Sequence, residues 1–312
     1  MTDKSRSFKH AEGSSKDAEG SPKNAERSSL ARDFYWIVCA YVVALIVAGI
    51  ALAVFDAWGP LWRAAWADVA ATLAIFAFGY AFKNSSFYDA YWSVAPPVLM
   101  LYWMVTYDSF DVRALLLFTL VFLWALRLTH NWARGWQGLT HQDWRYVDLK
   151  EKTGAFYPLV DLFGIQLLPT VLVFAGCVPV WLVLQASSTS LELVDMIWIV
   201  IGFSALWLEY RADNVLRQHR LDPSNQGQVL KADVWSWCRH PNYLGELGFW
   251  LALAICGYQV SGNPYAWLGF ALMVGLFVGI SIPMIDKRQL ANKPGYAAYK
   301  AEVGTLIPGI KW

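Results

Sequence analysis

The sequence predicts an all-α fold, a polytopic transmembrane helical bundle of seven to eight spans, on three observations. Of its 312 residues, 57% are hydrophobic and 16% charged, whereas an ordinary soluble domain carries roughly 25% charged residues. Apolar runs of about 20 residues recur, the length that crosses roughly 30 Å of hydrocarbon. Basic residues gather at alternate connections, as the positive-inside rule requires. The same composition excludes secreted, fibrous and disordered classes and argues against a soluble nucleotide-binding fold.

Residues 1–32 are polar and almost free of large apolar side chains. Such a tail cannot offset its ordering entropy and is expected to be a disordered cytosolic segment. The first apolar run, 34–55, comes too late and is too long for a cleaved signal peptide, so it should remain as a span. Further runs cover 65–82, 90–106, 113–132, 159–184, 193–212, 243–258 and 265–285. Pro96 and Pro97 require the third to kink or to begin late. The seventh is short, so seven spans plus a re-entrant segment also fits.

With eight spans and both termini cytosolic, Arg63 and Arg113 are the only basic residues on the outer side. This predicts an integral protein of a bacterial inner membrane or the endoplasmic reticulum. It also places the polar stretches 133–158 and 213–242 on the same side as the C-terminal tail. The net charge of +1 gives no electrostatic case for nucleic acid. Cys39, Cys177, Cys238 and Cys256 form no Cys-x-x-Cys pair, so neither a metal site nor a disulfide framework is expected. Membrane lipid and a hydrophobic small molecule are the expected partners, and nothing signals an obligate protein partner.

Three ionisable clusters lie on the predicted cytosolic face. Arg127, His130, Asn131 and Arg134 close the fourth span, with Arg127, Asn131 and Arg134 on one helical face. Snorkelling explains an arginine near a helix end such as Arg134. Arg127 lies deeper, where an ionisable group is a functional candidate by default. The second cluster runs from Glu209 through Arg211, Asp213, Asn214 and Arg217 to Arg220, with Glu209, Asp213 and Arg217 spaced four apart. Glu209 follows directly on Phe203, Leu206, Trp207 and Leu208, so its carboxylate needs a partner.

The third cluster is Arg239-His240-Pro241-Asn242-Tyr243-Leu244-Gly245-Glu246, opening an apolar helix that continues to Trp250. Pro241 suits a first helical turn. Free amides at that terminus, beside Arg239, suit a phosphate.

Asp213-Asn214-Val215-Leu216-Arg217-Gln218-His219-Arg220, followed by Asn242-Tyr243-Leu244-Gly245-Glu246 and Trp250, resembles the C-terminal half of the steroid 5-alpha-reductases. It resembles their bacterial relatives of formerly unknown function more closely. Lys287-Arg288, Pro294-Gly295-Tyr296-Ala297-Ala298-Tyr299 and Ile307-Pro308 are similar to the end of that group. Trp124-Ala125-Leu126-Arg127-Leu128 and Gln142-Asp143-Trp144-Arg145-Tyr146 also resemble it. The resemblance covers about residues 85–312.

It implies one membrane reductase-like domain over 33–312, with a cofactor half from about 115, that reduces a conjugated C=C bond of a steroid- or lipid-like enone with NADPH. By the same resemblance Arg134, Glu209, Asp213, Arg217, Arg220, Arg239, His240, Asn242, Tyr243, Glu246, Lys287 and Arg288 would bind the cofactor. Trp250 would lie in the substrate pocket. The steroid branch activates its substrate carbonyl with a Glu and a Tyr near the N-terminal helices, and the nearest candidates here are Asp89 and Tyr91. No Rossmann Gly-x-Gly-x-x-Gly is present, which fits a cofactor held between helices.

The Arg-His-Pro-x-Tyr-x-Gly motif is also similar to that of isoprenylcysteine methyltransferases, so an S-adenosylmethionine-dependent lipid methyltransferase is the alternative. Those enzymes typically carry adjacent glutamates near the C-terminus. Here the stretch reads Pro283-Met284-Ile285-Asp286-Lys287-Arg288, which favours the reductase. A lipid-binding scaffold that keeps the fold is the third reading.

Overall fold

The computed structural model describes residues 22–186 and 190–311. Twelve α-helices build it, and no strand occurs among the described residues. Helix α1 spans Pro22–Val54 and turns back as α2, Pro60–Phe82. The expected tail boundary at 32 falls inside α1, because Ala25-Glu26-Arg27 are good helix formers that run straight into the apolar stretch. Residues 1–21 lie outside the described residues. Arg63 donates to Leu52 O at 2.7 Å and so satisfies a free carbonyl at the end of α1.

Lys83 closes α2 in the left-handed conformation, and a short 3₁₀ turn, Ser85–Tyr88, leads to α3, Tyr91–Tyr107. Pro96 and Pro97 sit inside α3, which does not begin late. Asp111 caps α4, Val112–Gly135, by accepting from Ala114 N.

After α5 (Trp144–Thr153) and α6 (Tyr157–Val160), a π-helical stretch over Asp161–Leu167 feeds α7, Leu168–Leu184. Helix α8 covers Asp195–Leu221 and α9 covers Pro241–Ser261, with Pro241 in its first turn as expected. The last span is α10 (Leu268–Leu276), a second π-helical stretch (Phe277–Ser281) and α11 (Ile282–Asn292). Helix α12, Tyr296–Glu302, ends the bundle.

All eight predicted apolar segments are helical, but only six helices among the described residues are long and apolar enough to cross a membrane on their own. The two that fall short are α3, with 17 residues, and α8, whose inner turns carry Glu209, Arg211 and Asp213.

Small residues set the packing. A side chain on Gly245 would overlap Glu209 Cγ, and one on Gly202 would overlap Leu120, so α9 and α4 approach the α8 backbone closely. Trp103, Trp124, Trp198 and Trp250 fill the main core, while Ile75, Phe87 and Tyr88 centre a second core shared by α1, α2 and α3. Large apolar side chains outside these cores, such as Leu45, Ile46 and Ile50 on α1, are exposed, as lipid-facing surfaces should be.

Candidate active site

Arg127 is the hub. The last turns of α4 bring its guanidinium between α8 and α9, where it pairs with Glu209, with Asp213 at 2.5 Å and with Glu246 at 3.5 Å. Glu209 is fully buried, and a carboxylate there is tolerable only with such a partner. Gly245 allows it, since any side chain at that position would take the space of Glu209. The Glu246 carboxylate also accepts from Trp124 Nε1 at 3.2 Å and from Trp250 Nε1 at 3.0 Å. Trp250 is thus a buried anchor for Glu246, packed against Trp124 and Phe249, and it does not line the adjoining chamber.

That chamber has a volume of about 550 Å³. Arg127, Asp213, Asn242, Tyr243 and Glu246 form its polar end; Leu172, Val173, Met273, Leu276 and Phe277 are among its apolar walls. Tyr243 is held between His240, at 5.5 Å, and Phe277, at 4.8 Å. Asn242 and Tyr243 also line a second cavity, which shares Arg220, Ile285, Gln289 and Lys293 with a third at the mouth. The three cavities therefore adjoin in a row from the mouth inward, and the side chain of Asn242, on the wall of two of them, has no hydrogen-bond partner among the described residues.

The mouth is cationic. Arg220, Arg288 and Lys293 line it beside Asp143 and Asp222, and none of the three cations is ion-paired among the described residues. Burial, with Arg220 close by, lowers the Lys293 pKa. Arg288 stacks over Trp144 at 3.8 Å, a cation–π contact that fixes the guanidinium at the rim.

Arg239 and His240 also line the second cavity, but their polar atoms are engaged by the C-terminal segment. Asp286 accepts from Arg239 Nη2 at 3.1 Å, His240 Nε2 at 3.0 Å and Tyr296 Oη at 2.5 Å, and Lys300 Nζ lies at 3.1 Å. Arg239 further donates to Val303 O and Thr305 Oγ1. These two motif residues fasten the C-terminal segment onto the start of α9, next to Asn242 and Tyr243.

Among the other predicted residues, Arg134 donates to Asn131 and Asn214 and does not line these cavities, and Arg217 donates to Arg134 O at 3.4 Å. Lys287 is exposed and lines none of the three cavities. The pair Asp89 and Tyr91 is split. Asp89 lines the chamber and accepts from Tyr146 Oη at 2.6 Å. Burial raises its carboxyl to a pKa of about 6, with the Tyr146 hydrogen bond acting in the other direction. Tyr91 instead donates to Asp68 Oδ1 at 2.7 Å, at the wall of a separate apolar cavity between α1, α2 and α3.

Sequence reasoning quoted Tyr146 only as part of a segment and did not single out Asp68. The signal for Asp68 was available: it is the one acid in the run from Ala64 to Phe82. A family described as "Protein of unknown function (DUF1295)" matches residues 75–303. An uncharacterized protein of Schizosaccharomyces pombe is 26% identical over 252 residues, which is 72% of this chain and 73% of its own. No solved structure matches the chain.

Proposed function

The chain belongs to the DUF1295 family, and from that premise we propose that it is a membrane-embedded, NADPH-dependent reductase of a conjugated C=C bond in a hydrophobic enone. The observation that carries this reading is the row of adjoining cavities: three cations without an ion pair at the mouth, Asn242 and Tyr243 on the walls between, and a mixed polar and apolar chamber at the inner end. This donor set fits a long, multiply phosphorylated dinucleotide. Arg220, Arg288 and Lys293 suit phosphate oxygens, arginine by its planar fork of donors. Asn242 offers an uncommitted amide along the row, and the Arg127–Glu246–Asp213 cluster offers fixed acceptors at the inner end. The resemblance to the steroid 5-alpha-reductase group supports the same assignment.

When bound, NADPH supplies the hydride that adds to the carbon β to the substrate carbonyl. The chain's own task is to neutralise the charge that develops on the carbonyl oxygen, in a chamber with little water. We assign that task to Tyr146 Oη and Asp89, which both line the chamber. With Asp89 protonated the hydrogen bond between them turns round: Asp89 donates to Tyr146 Oη, Tyr146 hands its hydroxyl proton to the substrate oxygen, and the resulting enol relaxes to the saturated ketone.

The test is NADPH oxidation by the purified protein in lipid nanodiscs with a long-chain enone, beside calorimetry with NADPH and with S-adenosylmethionine. Asn242→Ala is expected to weaken NADPH binding about tenfold, roughly 1.4 kcal/mol, without changing thermal stability. Unchanged affinity would remove Asn242 from the site. Binding of S-adenosylmethionine alone would restore the methyltransferase reading, and binding of neither would favour a scaffold.

A further inference from the structure

Helices α7 and α10 run antiparallel, and the faces they present to each other change character along their length. At Gly269 they meet backbone to backbone, since a side chain there would collide with Ala175 O and Gly176. One helical turn at a time from that contact, the same stripe of the last span continues as Met273, Phe277 and Ser281. The facing stripe of α7 and the π stretch before it continues as Leu172, Pro169 and Ile165. All six line the chamber. The two spans therefore touch at Gly269 and part toward the polar end, leaving a wedge.

Each side of the wedge contains one of the two π-helical stretches, Asp161–Leu167 and Phe277–Ser281. Such stretches locally widen and redirect a helix. The two sides are held differently. On the first, Asp161 accepts from Ser85 Oγ at 2.8 Å and Thr170 bonds to Thr72 and Tyr88, which ties it to α2 and the 3₁₀ turn. On the second, the Ser281 hydroxyl has no hydrogen-bond partner among the described residues. Tyr243 against Phe277 fills the neighbouring seam with α9. The wedge is flanked by the exposed apolar side chains of Leu168 and Ile280.

We infer that this wedge is the lateral seat for a single long apolar chain, acyl or isoprenoid, whose carbonyl-bearing head reaches Asn242 and the Asp89–Tyr146 pair. The inference rests on the enone-reductase reading and narrows its substrate class to single-chain amphiphiles. Five of the six stripe residues are apolar, and the exposed Leu168 and Ile280 adjoin them, a lining suited to one flexible chain. The chain enters from the bilayer with its head leading. The cationic mouth, suited to phosphate, offers it no route.

The test uses a long-chain enone with a diazirine midway along its chain, incorporated in vesicles of neutral phospholipid with the full-length protein. After photolysis, mass spectrometry maps the adducts. Adducts are expected on the peptides holding Ile165–Leu172 and Met273–Ser281, and Ser281→Trp and Ile165→Trp should each reduce them at least fivefold. Adducts confined to the α1–α3 cavity around Asp68, or wedge adducts insensitive to both tryptophans, would overturn the inference. Labelling needs no turnover. Wedge adducts without NADPH oxidation of the same probe would therefore reject the reductase reading while the lipid seat stands.

Discussion

Asp89 shows how one buried carboxyl turns into a pH dependence. Its pKa of about 6 in the folded protein exceeds the ordinary 3.8 because burial penalises the charged form. Between those values the folded protein keeps a proton that the unfolded chain has released. The group's contribution to stability is thus fully present below the window and is lost as pH rises through it. Because the relay needs protonated Asp89, the NADPH oxidation rate is expected to fall above about pH 6, and Asp89→Asn should flatten that limb in a rate–pH profile. Arg127 is the complementary case. Arg127→Met would leave Glu209, Asp213 and Glu246 without their shared cation, and loss of one partner from a buried ion cluster costs about 3–5 kcal/mol. Thermal unfolding in detergent should read that loss directly. Much of this was legible in the sequence, since Arg127, Glu209, Asp213 and Glu246 each interrupt an apolar rhythm at helical spacing. The partners of Asp89 and Tyr91 were not. Tyr146 and Asp68 lie 57 and 23 residues away, and only tertiary packing decides that two neighbouring residues face different cavities.

At the scale of elements, the eight apolar runs became helices because the length needed to cross a bilayer is a strong signal. Their inner ends were less legible. Helix α8 reads as apolar only to Ala212, yet runs on to Leu221, because its charged turns are supported by α4 and α9 rather than by lipid. The α8–α9 contact depends on a missing side chain. Gly245→Val would push against Glu209 and the Ala205 carbonyl, and overpacking of this kind costs about 1–3 kcal/mol. A lower Tm is expected, with NADPH binding lost more steeply than stability because Asn242 and Glu246 ride on the same helix. Equal losses would mean that the close approach serves packing alone. Arg239 and His240 read from sequence as ligands of phosphate. Their contacts with Asp286 were not legible, because no local pattern links it to them.

For the molecule as a whole, charge is arranged by depth. Three cations without an ion pair stand at the mouth beside Asp143 and Asp222, one guanidinium shared by three carboxylates lies further in, and hydrocarbon walls follow. If the mouth reads the 2′-phosphate, Arg220→Ala and Arg288→Ala should each narrow the preference for NADPH over NADH about tenfold, and added salt should do the same to the wild type because exposed charges are screened. A preference unmoved by either substitution would place that phosphate elsewhere. The fastening of Arg239 and His240 by Asp286, Tyr296, Lys300 and Thr305 also bears on biosynthesis. During synthesis the start of α9 therefore waits on partners that follow it by 46 to 66 positions in the chain, so this turn acquires its final anchorage only after the apolar helix it opens has been made.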